Sequence, residues 1–185
     1  MKTTVQRAIR VTVQLGGVAL LIWLDQLLKR LAVQNLQGQE TRVLIPHVLG
    51  LTYAENTGAA FSLFSSSTGA LSVVTAVLLS IGVVALIVVK RKPLIYDICI
   101  PLIIAGGAGN LLDRVVRGYV VDYIRTLFID FPVFNFADML ITCSCIAVIV
   151  YLIADMIISY KKRDLPPEDP YADDAYADQS ADGDL

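Results

Sequence analysis

Twenty consecutive residues without a charge, Ala70 to Val89, constrain this chain more than any other feature. A helix of that length rises about 30 Å, the thickness of a bilayer's hydrocarbon core. In hydrocarbon every backbone N–H and C=O needs a partner inside its own segment, so such a stretch must be helical. The run stops at Lys90-Arg91-Lys92, and three more apolar stretches occupy about 11–33, 94–113 and 137–160. Apolar residues make up 56% of the chain and charged ones 17%, against about 45–50% and about 25% in soluble domains. The expected fold is therefore an all-α integral membrane protein with four transmembrane helices, one domain over residues 1–163.

The first stretch follows a basic lead, Lys2, Arg7 and Arg10, as a signal peptide would. It is long, however, and no small-x-small cleavage site follows Leu15–Leu24, so it is read as an uncleaved first span. Lys and Arg counts near the span ends set the orientation. The lead, the 90–92 loop and Lys161-Lys162-Arg163 carry three each, whereas 34–69 holds only Arg42 and 115–136 only Arg117 and Arg125. Both termini and the 90–92 loop are thus expected on the cytoplasmic side of the membrane. Between the first two spans, VLIPHVLGLTYAEN has the β-branched and aromatic content of a small exoplasmic β-like region. Residues 164–185 hold eight acids, no base and few large apolar side chains, the composition of a disordered cytoplasmic tail.

Several polar residues lie at matching depths in these spans. Asp25 is roughly 22 Å beyond Arg10, Asn110 roughly 27 Å beyond Lys92, and Asp138 roughly 34 Å before Lys161 at 1.5 Å per residue. Lys29 stands one turn above Asp25, in the favourable order for an ion pair. All converge on the exoplasmic rim. A channel would instead be polar along its whole length.

Two carboxylates dominate that rim: Asp122 in VVDYI and Asp138 in FNFADM, with 15 residues between them. Asp138, three residues after Asn135, also suits the first turn of a capped helix. Asp122 has no such local explanation. Two carboxylates sharing a partly dry site do not both ionise easily, so one retains a proton. Such a pair can polarise a carbonyl while activating water, the chemistry of peptide hydrolysis without a covalent intermediate. His47 is the sole histidine and sits in a loop, leaving little material for Ser-His or Cys-His schemes. Cys99, Cys143 and Cys145 lie in apolar blocks and are expected to be buried, inert thiols; no zinc-type ligand set accompanies them. GGAGN, at Gly106–Asn110, reads as a close-packing face for neighbouring helices.

Taken in order, DQLLK (25–29), ENTGAAF (55–61), GGAGNLLDR (106–114), VVDYI (120–124) and FNFAD (134–138) resemble the motif series of the lipoprotein signal peptidases, or signal peptidase II. The resemblance covers about residues 11–160. It implies a membrane aspartic endopeptidase that cuts diacylglyceryl-modified prolipoproteins just before the lipidated cysteine. It further implies that Asp122 and Asp138 are the catalytic pair, and that Asn56, Gly58, Asn110, Arg114 and Asn135 shape the site. Asp25 and Lys29 would support it from the first span, with no metal or organic cofactor. Met139 and Tyr123 depart from the family's usual residues and are expected to alter packing only. The expected partners are the lipidated substrate and membrane lipid, with no nucleic acid, and the expected state is a monomer. The rival reading is a proton-coupled transporter or assembly factor using intramembrane carboxylates, which would require polar residues continuing toward the cytoplasmic side.

Overall fold

The computed structural model describes residues 2–58, 68–89 and 93–163. Four helices, α1 (Lys2–Leu36), α2 (Thr68–Val88), α3 (Leu94–Arg117) and α4 (Phe136–Arg163), are each long and apolar enough to cross a membrane. Three strands, β1 (Arg42–Ile45), β2 (Leu49–Asn56) and β3 (Val120–Thr126), form one antiparallel sheet in that order. The chain divides into two compact units, Met1–Ile149 and Val150–Leu185. The described part of the second is the last half of α4. The acidic segment 164–185, the basic loop 90–92 and the Ala59-Ala60-Phe61 end of ENTGAAF lie outside the described residues.

Within the first unit α3 is the central element, packed against both α1 and α2. α2 has a mean hydropathy of 2.8, yet Val73, Val74, Val77, Leu78, Ile81 and Val84 on it are all exposed. Such a surface is at home only in lipid, and the protein is a multi-pass membrane protein. Cys143 and Cys145 share that setting. Only Cys99 is buried; the other two face outward from α4, contrary to the sequence expectation. A small apolar thiol gains nothing from burial when its exterior is hydrocarbon rather than water.

α1 and α3 run parallel. At one end Arg10 pairs with Asp97 at 3.3 Å and Gln14 donates to the Asp97 carbonyl at 2.9 Å. At the other, Lys29 meets Asn110 at 2.7 Å. Thirteen positions along α3 separate Asp97 from Asn110 and fifteen along α1 separate Gln14 from Lys29, so the two polar levels stand roughly 20 Å apart. Between them lies an apolar cluster of Val18, Leu86, Ile104 and Ala105.

The glycines of GGAGN serve three neighbours rather than one face. A Cβ on Gly106 would strike the carbonyl oxygen of Ala137 in α4, one on Gly107 would come 2.8 Å from Leu79 Cδ2 of α2, and one on Gly109 would strike the Asp25 carboxylate of α1. Successive helical positions point about 100° apart, so one short motif lets three helices approach α3.

α3 extends to Arg117, one turn past the sequence expectation of 113, and ends at Gly118 in the left-handed conformation (φ 82°), whose N–H donates to the Arg114 carbonyl. Only a glycine makes that reversal without strain. It delivers the chain directly into β3, a strand the sequence reading left within an exoplasmic loop. VVDYIRT is β-branched and aromatic, but only its pairing with β2 makes it a strand. A second apolar cluster, Ala32, Leu36, Val121 and Tyr123, seats the sheet on the end of α1.

Candidate active site

Asp122 sits on β3 directly opposite Ala54 of β2, and Asn56 occupies the diagonal position on the same face. That register brings Asn56 Nδ2 within 2.9 Å of Asp122 Oδ2. The Asn56 oxygen meanwhile accepts from Gly58 N–H at 3.0 Å, an Asx turn that prevents the amide from rotating. Gly58 in turn offers its carbonyl to Arg114 Nη2 at 3.1 Å.

Asp138 reaches the same place from α4. Asn135 is the cap of that helix: its oxygen accepts from Asp138 N–H at 3.0 Å, and the Asp138 carboxylate accepts from Asn135 N–H at 3.1 Å. The expected cap is therefore present, in the reciprocal form of a capping box. The Asn135 amide nitrogen remains free for other work, and donates to Asp122 Oδ1 at 2.6 Å. One residue thus bonds both acids. It is held there by a bridge, in which Phe134 N–H donates to the Ile124 carbonyl while Tyr123 and Ile124 N–H both donate to Phe134 O. The bridge folds residues 125–133 out as a loop and sets Asn135 beside Asp122.

Behind the acids lies a buried polar layer. Asn110 Nδ2 donates to Asp138 Oδ1 at 2.8 Å, and its own oxygen accepts from Lys29 Nζ and from Asn135 Nδ2. Lys29 is also within 3.0 Å of Asp25 Oδ2 and 3.1 Å of Asp113 Oδ2. Asp25, Lys29, Asp113 and Asn135 are all fully buried. Every residue singled out from the sequence, Asp25, Lys29, Asn56, Gly58, Asn110, Arg114, Asp122, Asn135 and Asp138, belongs to this one connected assembly.

Asp113 and Gln26 belong to it as well and were not among those candidates. Asp113 accepts from Lys29, Arg117 and Gln26, and from the backbone N–H of Val121 at 3.2 Å. Gln26 bridges Asp25, Gly109 O and Asp113. The available signal was spacing: Asp113 falls one helical turn after Asn110 and so shares its face.

A cavity of about 370 Å³ opens beside the acids, lined by Asn56, Asn110, Arg114, Asp138, Met139 and the Phe131–Phe134 segment among others. Asp138 borders it, while Asp122 lies just beneath, 2% exposed. Met139 forms part of the wall. Arg114 brings a buried Nε with no protein acceptor among the described residues. Burial, and next the neighbouring charge of Asp138, push the Asp122 carboxyl up to about 6 despite its bonds from Asn56 and Asn135. It therefore holds a proton well above the ordinary carboxylate range.

Comparison with known proteins gives a consistent result. A family model described as signal peptidase (SPase) II matches residues 17–154. The lipoprotein signal peptidase of Enterococcus faecalis is 41% identical over 137 residues, 74% of this chain and 85% of that one. That of Lactococcus lactis subsp. lactis is 40% identical over 133 residues, 71% and 87% respectively. A bacterial membrane enzyme solved by the in meso method at 2.3 Å superposes with a TM-score of 0.70 and 30% identity, covering 78% of this chain and 90% of that one.

Proposed function

The chain belongs to the signal peptidase II family and has that family's function; from that premise we propose that it cleaves diacylglyceryl-modified prolipoproteins before the lipidated cysteine, with Asp122 and Asp138 as an aspartic dyad. The observation that supports this reading is Asn135, which bonds both acids, with Asp138 bordering the cavity. The orientation that goes with it has both termini cytoplasmic and the acids at the exoplasmic rim. Parallel α1 and α3, with polar layers roughly 20 Å apart, support that arrangement. Residues 1–163 form the peptidase domain, and 164–185 a separate acidic tail. An ion path is disfavoured by the apolar cluster that separates the two polar layers.

In the cycle, Asp138 takes a proton from water as its oxygen attacks the scissile carbonyl carbon. Asp122 enters protonated and delivers its proton to the carbonyl oxygen, giving a neutral tetrahedral diol. Collapse breaks the C–N bond; Asp138 returns its proton to the leaving amine, and Asp122 recovers one from the diol hydroxyl. Arg114, with its spare Nε, offers a donor to a substrate backbone carbonyl. A substrate acyl chain belongs in lipid, so its scissile bond meets the acids at the depth where they lie.

The reading is tested by incubating the purified protein with one prolipoprotein in lipidated and unlipidated forms. Cleavage of the lipidated form alone is expected; equal cleavage of both, or cutting elsewhere than before the cysteine, contradicts it. The pH dependence has a definite sign. Asp122 is needed with its proton on, and its raised pKa means the proton is present below about 6 and lost above. Surrounding lipid deepens the desolvation and moves that point upward. kcat/KM is therefore expected to fall along an alkaline limb whose midpoint lies at or above about 6. An alkaline limb centred near 4 would contradict it.

A further inference from the structure

Lys29 is fully buried, so its charge is satisfied by protein alone. An ammonium donates and never accepts. Asn110 must therefore turn its oxygen toward Lys29 and its amide nitrogen away, onto Asp138. The same oxygen draws in Asn135 Nδ2, which also donates to Asp122. The polarity of the Asn110 bond to Asp138 thus follows from one cation on α1, while Asn135 is turned by its own cap, its oxygen accepting from Asp138 N–H. Through a second arm, Lys29 pairs with Asp113, whose Oδ2 also accepts from Val121 N–H, the backbone position next to Asp122.

We propose that Lys29 is a positioning residue for the reaction: it locks the Asn110 amide with its N–H donor toward Asp138 and its oxygen toward Asn135. This rests on the dyad reading above. Without the ammonium, Asn110 is free to turn half-way round and present its oxygen to the Asp138 carboxylate, repelling the base and releasing Asn135. A mere ion pair within α1 would require only Asp25.

Removing Lys29 alone would leave buried anions unpaired, so the variants are made together with Asp25→Asn. Asp113 then keeps Arg117 and Gln26 as partners. Lys29→Met removes the donor toward Asn110, whereas Lys29→Gln removes the same charge but keeps an N–H donor. Relative to Asp25→Asn alone, Lys29→Met is expected to lower kcat about 100-fold with KM little changed, since misplacement of reacting groups by about 1 Å has that effect. Lys29→Gln is expected to recover about tenfold of that loss, the scale on which supporting hydrogen bonds act. Equal kcat values for the two folded variants overturn the proposal, because a structural role responds to charge and volume alone. Should Lys29→Met fail to fold, Lys29→Gln still decides: a kcat matching Asp25→Asn overturns the proposal, and about a tenfold loss at unaltered KM supports it. Asp122→Asn is assayed alongside. If it remains active, the dyad reading has failed, whatever Lys29 does.

Discussion

Asp122→Asn is expected to leave a folded, membrane-inserted protein that has lost about 10⁴-fold in kcat, the upper end for removal of a positioned acid or base. The substitution keeps shape and burial. Its oxygen still accepts from Asn135, while its new NH2 faces the Asn56 amide nitrogen. Because the Asx turn holds Asn56, two donors then face each other, at a cost of about 1–3 kcal/mol. What disappears is the proton that Asp122 delivers and recovers. Asp138→Asn is expected to be as inactive and to lose a similar amount of stability. Its oxygen can still accept from Asn135 N–H, but its amide nitrogen then confronts Asn110 Nδ2, which Lys29 prevents from turning. Thermal unfolding in detergent and cleavage of lipidated substrate separate the two effects. A folded variant of either kind that retains a tenth of wild-type kcat would remove the dyad from the mechanism.

Gly106→Ala should have the next largest effect, although it adds only one methyl group to a glycine of α3. The new Cβ would run into the Ala137 carbonyl oxygen and lie 2.8 Å from Ile141 Cγ1. A backbone carbonyl in the first turn of a helix cannot swing aside, so the start of α4 must move away from α3. Asp138 is the next residue and moves with it. Overpacking of this kind costs about 1–3 kcal/mol, and a shift of about 1 Å at a reacting group lowers kcat about 100-fold. Gly107→Ala is the control. Its Cβ meets Leu79 Cδ2, the flexible end of a side chain, and Leu79 can turn toward lipid. A Gly106→Ala protein as stable and as active as Gly107→Ala would show that α4 is not seated where the contact places it.

Much of the architecture was legible because a membrane turns length into structure. A 20-residue uncharged stretch has one way to satisfy its backbone in hydrocarbon, and clusters of Lys and Arg mark the expected cytoplasmic ends. The strand at VVDYIRT was harder to see. Its local pattern suits a strand, but a strand exists only with a partner, and that partner lies more than sixty residues earlier in β2. Cys143 and Cys145 misled for a related reason, because burial rules learned in water do not hold where the surroundings are lipid. GGAGN was readable as a packing motif, but not as one that receives three different helices.

By itself, the sequence determined the four spans, their expected order across the bilayer, the crowding of polar residues at one rim, and the family. Each of these depends on local composition and on distances measured along the chain. Tertiary structure alone decided that Asp122 and Asp138 are joined through Asn135. Their link depends on the Ile124–Phe134 bridge, the β2–β3 register and the Asn110 oxygen that accepts from both Lys29 and Asn135. All three join residues distant in sequence, and hydrogen bonds between such residues leave no periodic trace in the order of amino acids.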